Sequence, residues 1–138
     1  MPVSDLARNE PVTAAPDEPL QQLASTMRDE RIGSVIVEQD GEPVGIVTDR
    51  DIAVRAVADG GADGRTASDV MTEEPCCVDG DTGLLELTQE MCDNAVRRIP
   101  VMEDGELSGI ITFDDVERLL TDEHQNLSEV IAANSPAY

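Results

Sequence analysis

The chain has 138 residues, the size of one domain, and carries 30 Asp and Glu against nine Arg, with no lysine, for a formal net charge of −21. With no basic stripe to neutralise phosphates, that balance excludes nucleic acid and anionic membrane surfaces as partners. The apolar residues are aliphatic apart from one Phe and one Tyr, and they are interleaved with the acids, which argues against disorder and for a folded protein adapted to a salt-rich cytoplasm.

The first element is a polar-apolar turn at Ser4-Asp5-Leu6, with serine as a candidate N-cap, followed after Pro11 by a short extended piece at Val12-Thr13-Ala14. Leu20, Leu23 and Met27 keep i, i+3, i+7 spacing and predict a helix, and Asp17 just ahead of it complements the helix dipole. Two strands follow, Ser34–Val37 and Val44–Val47, joined by Asp40-Gly41, the strongest local signal for a tight hairpin. A second helix begins after Thr48 and carries Ile52, Val54 and Val57.

The same order then returns at an offset of 64 residues, after a linker over 61–66. Ser68-Asp69 repeats Ser4-Asp5, and Cys76-Cys77-Val78 repeats the extended piece. Leu84, Leu87 and Met91 repeat the helix, with Asp81 ahead of it. Asp104-Gly105 repeats the hairpin, and Gly109-Ile110-x-Thr112 with Asp115 repeats Gly45-Ile46-x-Thr48 with Asp51. A long period present twice is a duplicated unit, and each half alone is too short to bury a sufficient core. The two halves are therefore expected to share one core, with function at their seam. The units are placed at 3–60 and 67–122. A tail over 123–138 contains a short amphipathic helix marked by Leu127, Val130 and Ile131.

Several activities are excluded on inventory. One histidine, His124, no lysine, no nucleophile elbow and no Walker loop leave nothing to run a reaction, so an enzyme is not expected. Cys76, Cys77 and Cys92 lack metal-ligand spacing, so no metal site is expected. No signal peptide and no apolar run near ~20 residues point to a cytoplasmic protein without a membrane span.

The β-α-β-β-α order, with an Asp-Gly hairpin feeding Gly45-Ile46-Val47-Thr48-Asp49-Arg50-Asp51 and Gly109-Ile110-Ile111-Thr112-Phe113-Asp114-Asp115, resembles the CBS domain. Asp69-Val70-Met71-Thr72 and Arg98-Ile99-Pro100-Val101 also fit, and the likeness covers roughly residues 3–122. Two such units resemble a Bateman module. The resemblance implies an α+β fold, two CBS motifs packed as a pseudo-twofold pair through their small sheets. It further implies two clefts for adenosyl ligands, a homodimer, and regulation of an effector protein in trans. No catalytic cofactor is implied; the regulatory ligand is an adenine nucleotide of the AMP, ADP or ATP class, AMP first. A sensor of S-adenosylmethionine or NAD, or a ligand-free dimerising scaffold, are the alternatives.

Residue types suit that ligand. Asp51 and Asp115 are acceptors matched to the paired hydroxyls of a ribose, and Thr48 and Thr112 donate toward phosphate at a helix start. The alternative reading is that both pairs are only helix caps. Adenine is expected among Val12, Thr13, Ala14, Ile46, Pro100, Ile110, Cys76, Cys77 and Val78. Arg50, Arg97 and Arg98 are the candidate phosphate ligands, expected to gather beside Thr48 and Asp51. The cleft around Thr112, Phe113 and Asp115 is expected to be the weaker one.

Overall fold

The computed structural model describes residues 1–136. The predicted tail reaches two residues further, and those two lie outside the described residues. Each repeat yields a helix, a hairpin and a second helix. The first has β2 (Thr13–Ala14), α1 (Leu20–Glu30), β3 (Ser34–Gln39), β4 (Glu42–Thr48) and α2 (Asp49–Asp51), which passes into a π-helical turn over Ile52–Val57. The second has β6 (Val78–Asp79), α4 (Leu84–Asn94), β7 (Arg98–Glu103), β8 (Glu106–Thr112) and α5 (Phe113–Asn134). Ahead of them lie β1 (Arg8–Asn9) in the first repeat, and α3 (Ala67–Val70) and β5 (Thr72–Glu73) in the second.

The hairpin signals hold. Asp40 and Gly41 have φ of 53° and 80°, and Asp104 and Gly105 have 52° and 80°. Two consecutive left-handed residues suit the right-handed twist of the flanking strands. The helices bury the faces their spacing marks: Leu20, Leu23 and Met27 in α1, Leu87 and Met91 in α4. The expected serine caps do not form. Neither Ser4 nor Ser68 holds a helix start, and α3 is capped by Thr66, whose backbone N–H donates to Asp69 at 2.7 Å.

The sheets are not the sheets of the two repeats taken separately. Their orders are β2-β3-β4-β5 and β1-β8-β7-β6. β1 runs antiparallel to β8, with Arg8 opposite Ile110 and Asn9 opposite Gly109. β5 runs antiparallel to β4, with Gly45 opposite Glu73. The segment ahead of each repeat therefore crosses to the sheet of the other.

Each motif glycine is required by that crossing. A Cβ on Gly109 would stand 2.7 Å from the Arg8 carbonyl oxygen, and one on Gly45 would collide with the Met71 side chain.

The exchange also corrects the expectation of one shared core. Buried side chains form two clusters, one per sheet. The first is completed by Ala67 and Val70 from α3, the second by Val3 from the N-terminal turn. Each core is closed by a piece of chain preceding the other repeat. The predicted separate tail helix is likewise revised: Leu127, Val130 and Ile131 continue α5, and all three are exposed.

Candidate functional site

Both repeated Thr-x-x-Asp motifs end a strand and start a helix with a reciprocal capping box. The Asp115 N–H donates to the Thr112 hydroxyl at 3.2 Å, while the Thr112 N–H and hydroxyl donate to Asp115 Oδ2 at 2.9 and 2.8 Å. In the first repeat the Asp51 N–H donates to Thr48 Oγ1 at 3.1 Å, and the Thr48 N–H to Asp51 Oδ2 at 2.9 Å. The cap role of these residues is thus real in both copies. It uses Oδ2 and leaves Oδ1 to an arginine. Asp115 Oδ1 meets Arg8 at 3.6 Å, and Asp51 Oδ1 meets Arg55 at 3.7 Å.

Between the repeats lies a cleft of about 430 Å³, within the range of small-ligand sites. Four segments build it. The crossing strand β1 and the residues after it bring Arg8 and Val12; the end of α1 brings Arg31, which is left-handed at φ 55°. The paired positions Arg98 of β7 and Thr112 of β8 form the floor with Ile110, and the first turns of α5 add Asp114 and Arg118.

Of the expected ligand residues, this cleft gathers Val12, Arg98, Ile110 and Thr112. Asp115 joins them through its ion pair with Arg8. The others fall elsewhere. Thr48 and Arg50 are not in the cleft, and Asp51 faces Arg55. Arg97 turns away to lie over the Phe113 ring, 4.8 Å from its centroid, and to meet Asp114 at 3.4 Å. Thr13 and Ala14 line a separate recess with Asp17, Glu18, Glu38 and Asp40, while Cys77 and Val78 line one with Glu86 and Glu90. Pro100 is buried opposite Ile110, and Ile46 pairs with Ile36.

The expected grouping of Arg97 and Arg98 with Thr48 and Arg50 is met only by Arg98, whose guanidinium lies beside Gly33 and the Asp49 carboxylate just after Thr48 while also lining the cleft of Thr112; Arg97 and Arg50 do not join it. The strand exchange adds Arg8, delivered to β8, to the same cleft.

Sequence reasoning missed Arg8, Arg31 and Arg118. A signal was there, since their positions 64 residues away hold Thr72, Ala95 and Val54, all uncharged.

Cys76 lies 3.7 Å from a Glu90 carboxylate oxygen. Burial first, and then the Glu90 charge, push its thiol pKa up; burial likewise raises that of Cys77. Reactive thiols need the opposite shift. Among the described residues no group of three His, Cys, Asp or Glu is placed to hold a metal ion, and no helix is long and apolar enough to cross a membrane.

The CBS domain family model matches this chain twice, over residues 3–57 and 67–122. Methanopyrus kandleri MK0525 is 37% identical over 117 residues, covering 83% of this chain and 60% of that protein, so the chain spans less than two thirds of that relative. YhcV of Bacillus subtilis, a CBS domain-containing protein, is 33% identical over 115 residues, with 83% and 81% covered. Among solved structures, the CBS domain pair of MJ0100, in complex with 5-methylthioadenosine and S-adenosyl-L-methionine, superposes with a TM-score of 0.80 at 25% identity. It covers 89% of this chain and 98% of its own. CBSX2 in complex with AMP superposes at 0.77 with 22% identity, covering 88% and 97%.

Proposed function

This chain belongs to the CBS-domain family as a tandem pair, and from that premise we propose that it is a regulatory module. It binds an adenine nucleotide between its two motifs and passes the occupancy to an effector protein in trans. Proteins of this family are in general regulatory rather than catalytic.

The observation that carries the reading is the single cleft in which Thr112, Arg98, Ile110 and Val12 converge beside the capped Asp115. Asp115 Oδ1 accepts from the ribose hydroxyls once Arg8 moves off it. Thr112 and the arginines hold phosphate, and Ile110 with Val12 sandwiches the base. The adenosyl ligands held by the MJ0100 pair, and AMP in CBSX2, support this choice of ligand class. The exposed Val54 and Val57 of the first repeat and Phe113 and Leu120 of the second support a homodimer joined through these helices.

A melting series with AMP, ADP, ATP, S-adenosylmethionine and NAD tests the proposal. A ligand at 100 times its dissociation constant adds about 2.7 kcal/mol of stability. The shift is expected in the wild type and lost in Asp115→Ala. No shift with any of the five compounds refutes the reading in favour of a ligand-free scaffold.

A further inference from the structure

Resting on that reading, we propose that the Thr112 cleft selects its nucleotide by phosphate count, taking a nucleoside di- or triphosphate over the monophosphate and rejecting cationic S-adenosylmethionine. The observation is the state of the arginines. Nine of them share a chain with 30 carboxylates, so each should find a partner. Arg8, Arg28, Arg55 and Arg97 do. Arg65 donates to the carbonyls of Arg55 and Asp59. Among the described residues that leaves Arg31, Arg50, Arg98 and Arg118 with no carboxylate within 4.0 Å, and three of these four line one cleft.

Those three come from different elements: the end of α1, the start of β7 and the second turn of α5. Arg8 makes a fourth, held on Asp115. Of the acids in the lining, Asp114 is already paired with Arg97 and Glu10 remains; the Asp49 carboxylate lies beside Arg98 at Gly33 without coming within ion-pair distance of it. Guanidinium groups grip phosphate oxygens two at a time. One phosphoryl group cannot satisfy three or four such forks arriving from separate walls; a chain of two or three can. The same field repels a sulfonium.

The other repeat shows that the fold itself does not demand these charges. At the equivalent positions Thr72, Ala95 and Val54 replace Arg8, Arg31 and Arg118, while Glu74 keeps the acid of Glu10. Phosphate selectivity thus belongs to the Thr112 cleft.

Calorimetry in 0.1 M salt with adenosine, AMP, ADP, ATP and S-adenosylmethionine tests the proposal on the wild type, Arg31→Ala, Arg118→Ala and the double variant, with Arg28→Ala as control. ATP and ADP are expected to bind at least ~10-fold tighter than AMP, and each cleft substitution is expected to weaken ATP by ~10-fold or more, as for loss of a charge-assisted hydrogen bond. Adenosine affinity stays unchanged, as does every affinity of Arg28→Ala. Arg31 and Arg118 are both exposed, so folding is not at stake, and the wild-type ligand series stands without the variants. AMP or S-adenosylmethionine binding as tightly as ATP, or ATP affinity surviving in the double variant, overturns the proposal while the adenosyl reading stands. Absence of binding by all five compounds overturns the adenosyl reading itself.

Discussion

The strand exchange makes a demand on two glycines that can be measured. An alanine methyl at position 109 would stand 2.7 Å from the Arg8 carbonyl oxygen, a backbone atom fixed by the pairing of β1 with β8. At position 45 the same methyl meets Met71, colliding with its sulfur and lying 2.8 Å from its Cγ. Overpacking of this kind costs about 1–3 kcal/mol, offset by about 0.4–1 kcal/mol because alanine restricts the unfolded chain. A net loss of ~1–2 kcal/mol is expected for either variant, a melting decrease of roughly 3–10 °C at this chain length. The two then part company. Met71 is a flexible side chain that can be removed, so Gly45→Ala should cost almost nothing in a Met71→Ala background, a coupling of ~1–2 kcal/mol read from urea titrations of the double-mutant cycle. No truncation can relieve Gly109→Ala, since the nearest side-chain atom, Ala7 Cβ, is in ordinary contact at 3.6 Å. Its relief must come from movement of β1, which carries Arg8 out of the cleft and lowers ATP affinity. Equal, unrescued costs at both glycines, or a Gly109→Ala protein as stable as wild type, would refute the crossing geometry.

Three further outcomes follow from the same geometry. Thr112→Val removes the hydroxyl that accepts the Asp115 N–H and should cost about 1 kcal/mol of unfolding free energy in urea; no loss would mean that the capping box is idle. At pH 8 iodoacetamide should label the exposed Cys92 well before Cys76 and Cys77, because burial holds those two thiols protonated. Their contribution to stability is complete below the ordinary thiol range and is lost as pH rises through the raised values, so mass-mapped alkylation that favours the vicinal pair contradicts their burial. Removing residues 123–138 takes away a helical stretch with no buried side chain among its described residues. It should reduce helical circular dichroism yet change stability by no more than about 0.5 kcal/mol; a large drop would show that the Leu127, Val130 and Ile131 stripe is covered in the assembled protein.

The sequence made local structure readable wherever backbone geometry constrains residue choice. Asp-Gly demanded two left-handed residues and marked both hairpins. Leu, Leu and Met at helical spacing marked the buried faces of α1 and α4. Thr-x-x-Asp marked two capped helix starts. What stayed hidden was which sheet receives the short strands. Arg8–Asn9 and Thr72–Glu73 are two-residue strands with no hydrophobic alternation to set a partner, and nothing in their composition says that they cross. That one unread step misplaced the core, divided in two rather than shared, and left Arg8 out of the site, because the walls of a cleft cannot be listed before the crossing strand is known. Gly45 and Gly109 held the clue. A glycine in mid-strand implies that something passes close over it, and in each case that something is the segment preceding the other repeat.

The crossing also accounts for how two halves of one architecture can contribute differently to a cleft. If each repeat closed on itself, a change in one would alter only its own cleft wall. Here the Thr112 cleft draws Arg8, Val12 and Arg31 from the first repeat and Arg98, Thr112 and Arg118 from the second. Most of its charge comes from positions whose counterparts at the 64-residue offset are free to be Thr, Ala or Val. None of Arg8, Arg31 or Arg118 is buried in either core, so selection on ligand charge acts on them without disturbing packing. The residues the fold does need, the motif glycines and the capping Thr and Asp, are the ones that stayed identical between the repeats. Where the duplicate halves agree the chain records its architecture, and where they disagree around the cleft it records its ligand.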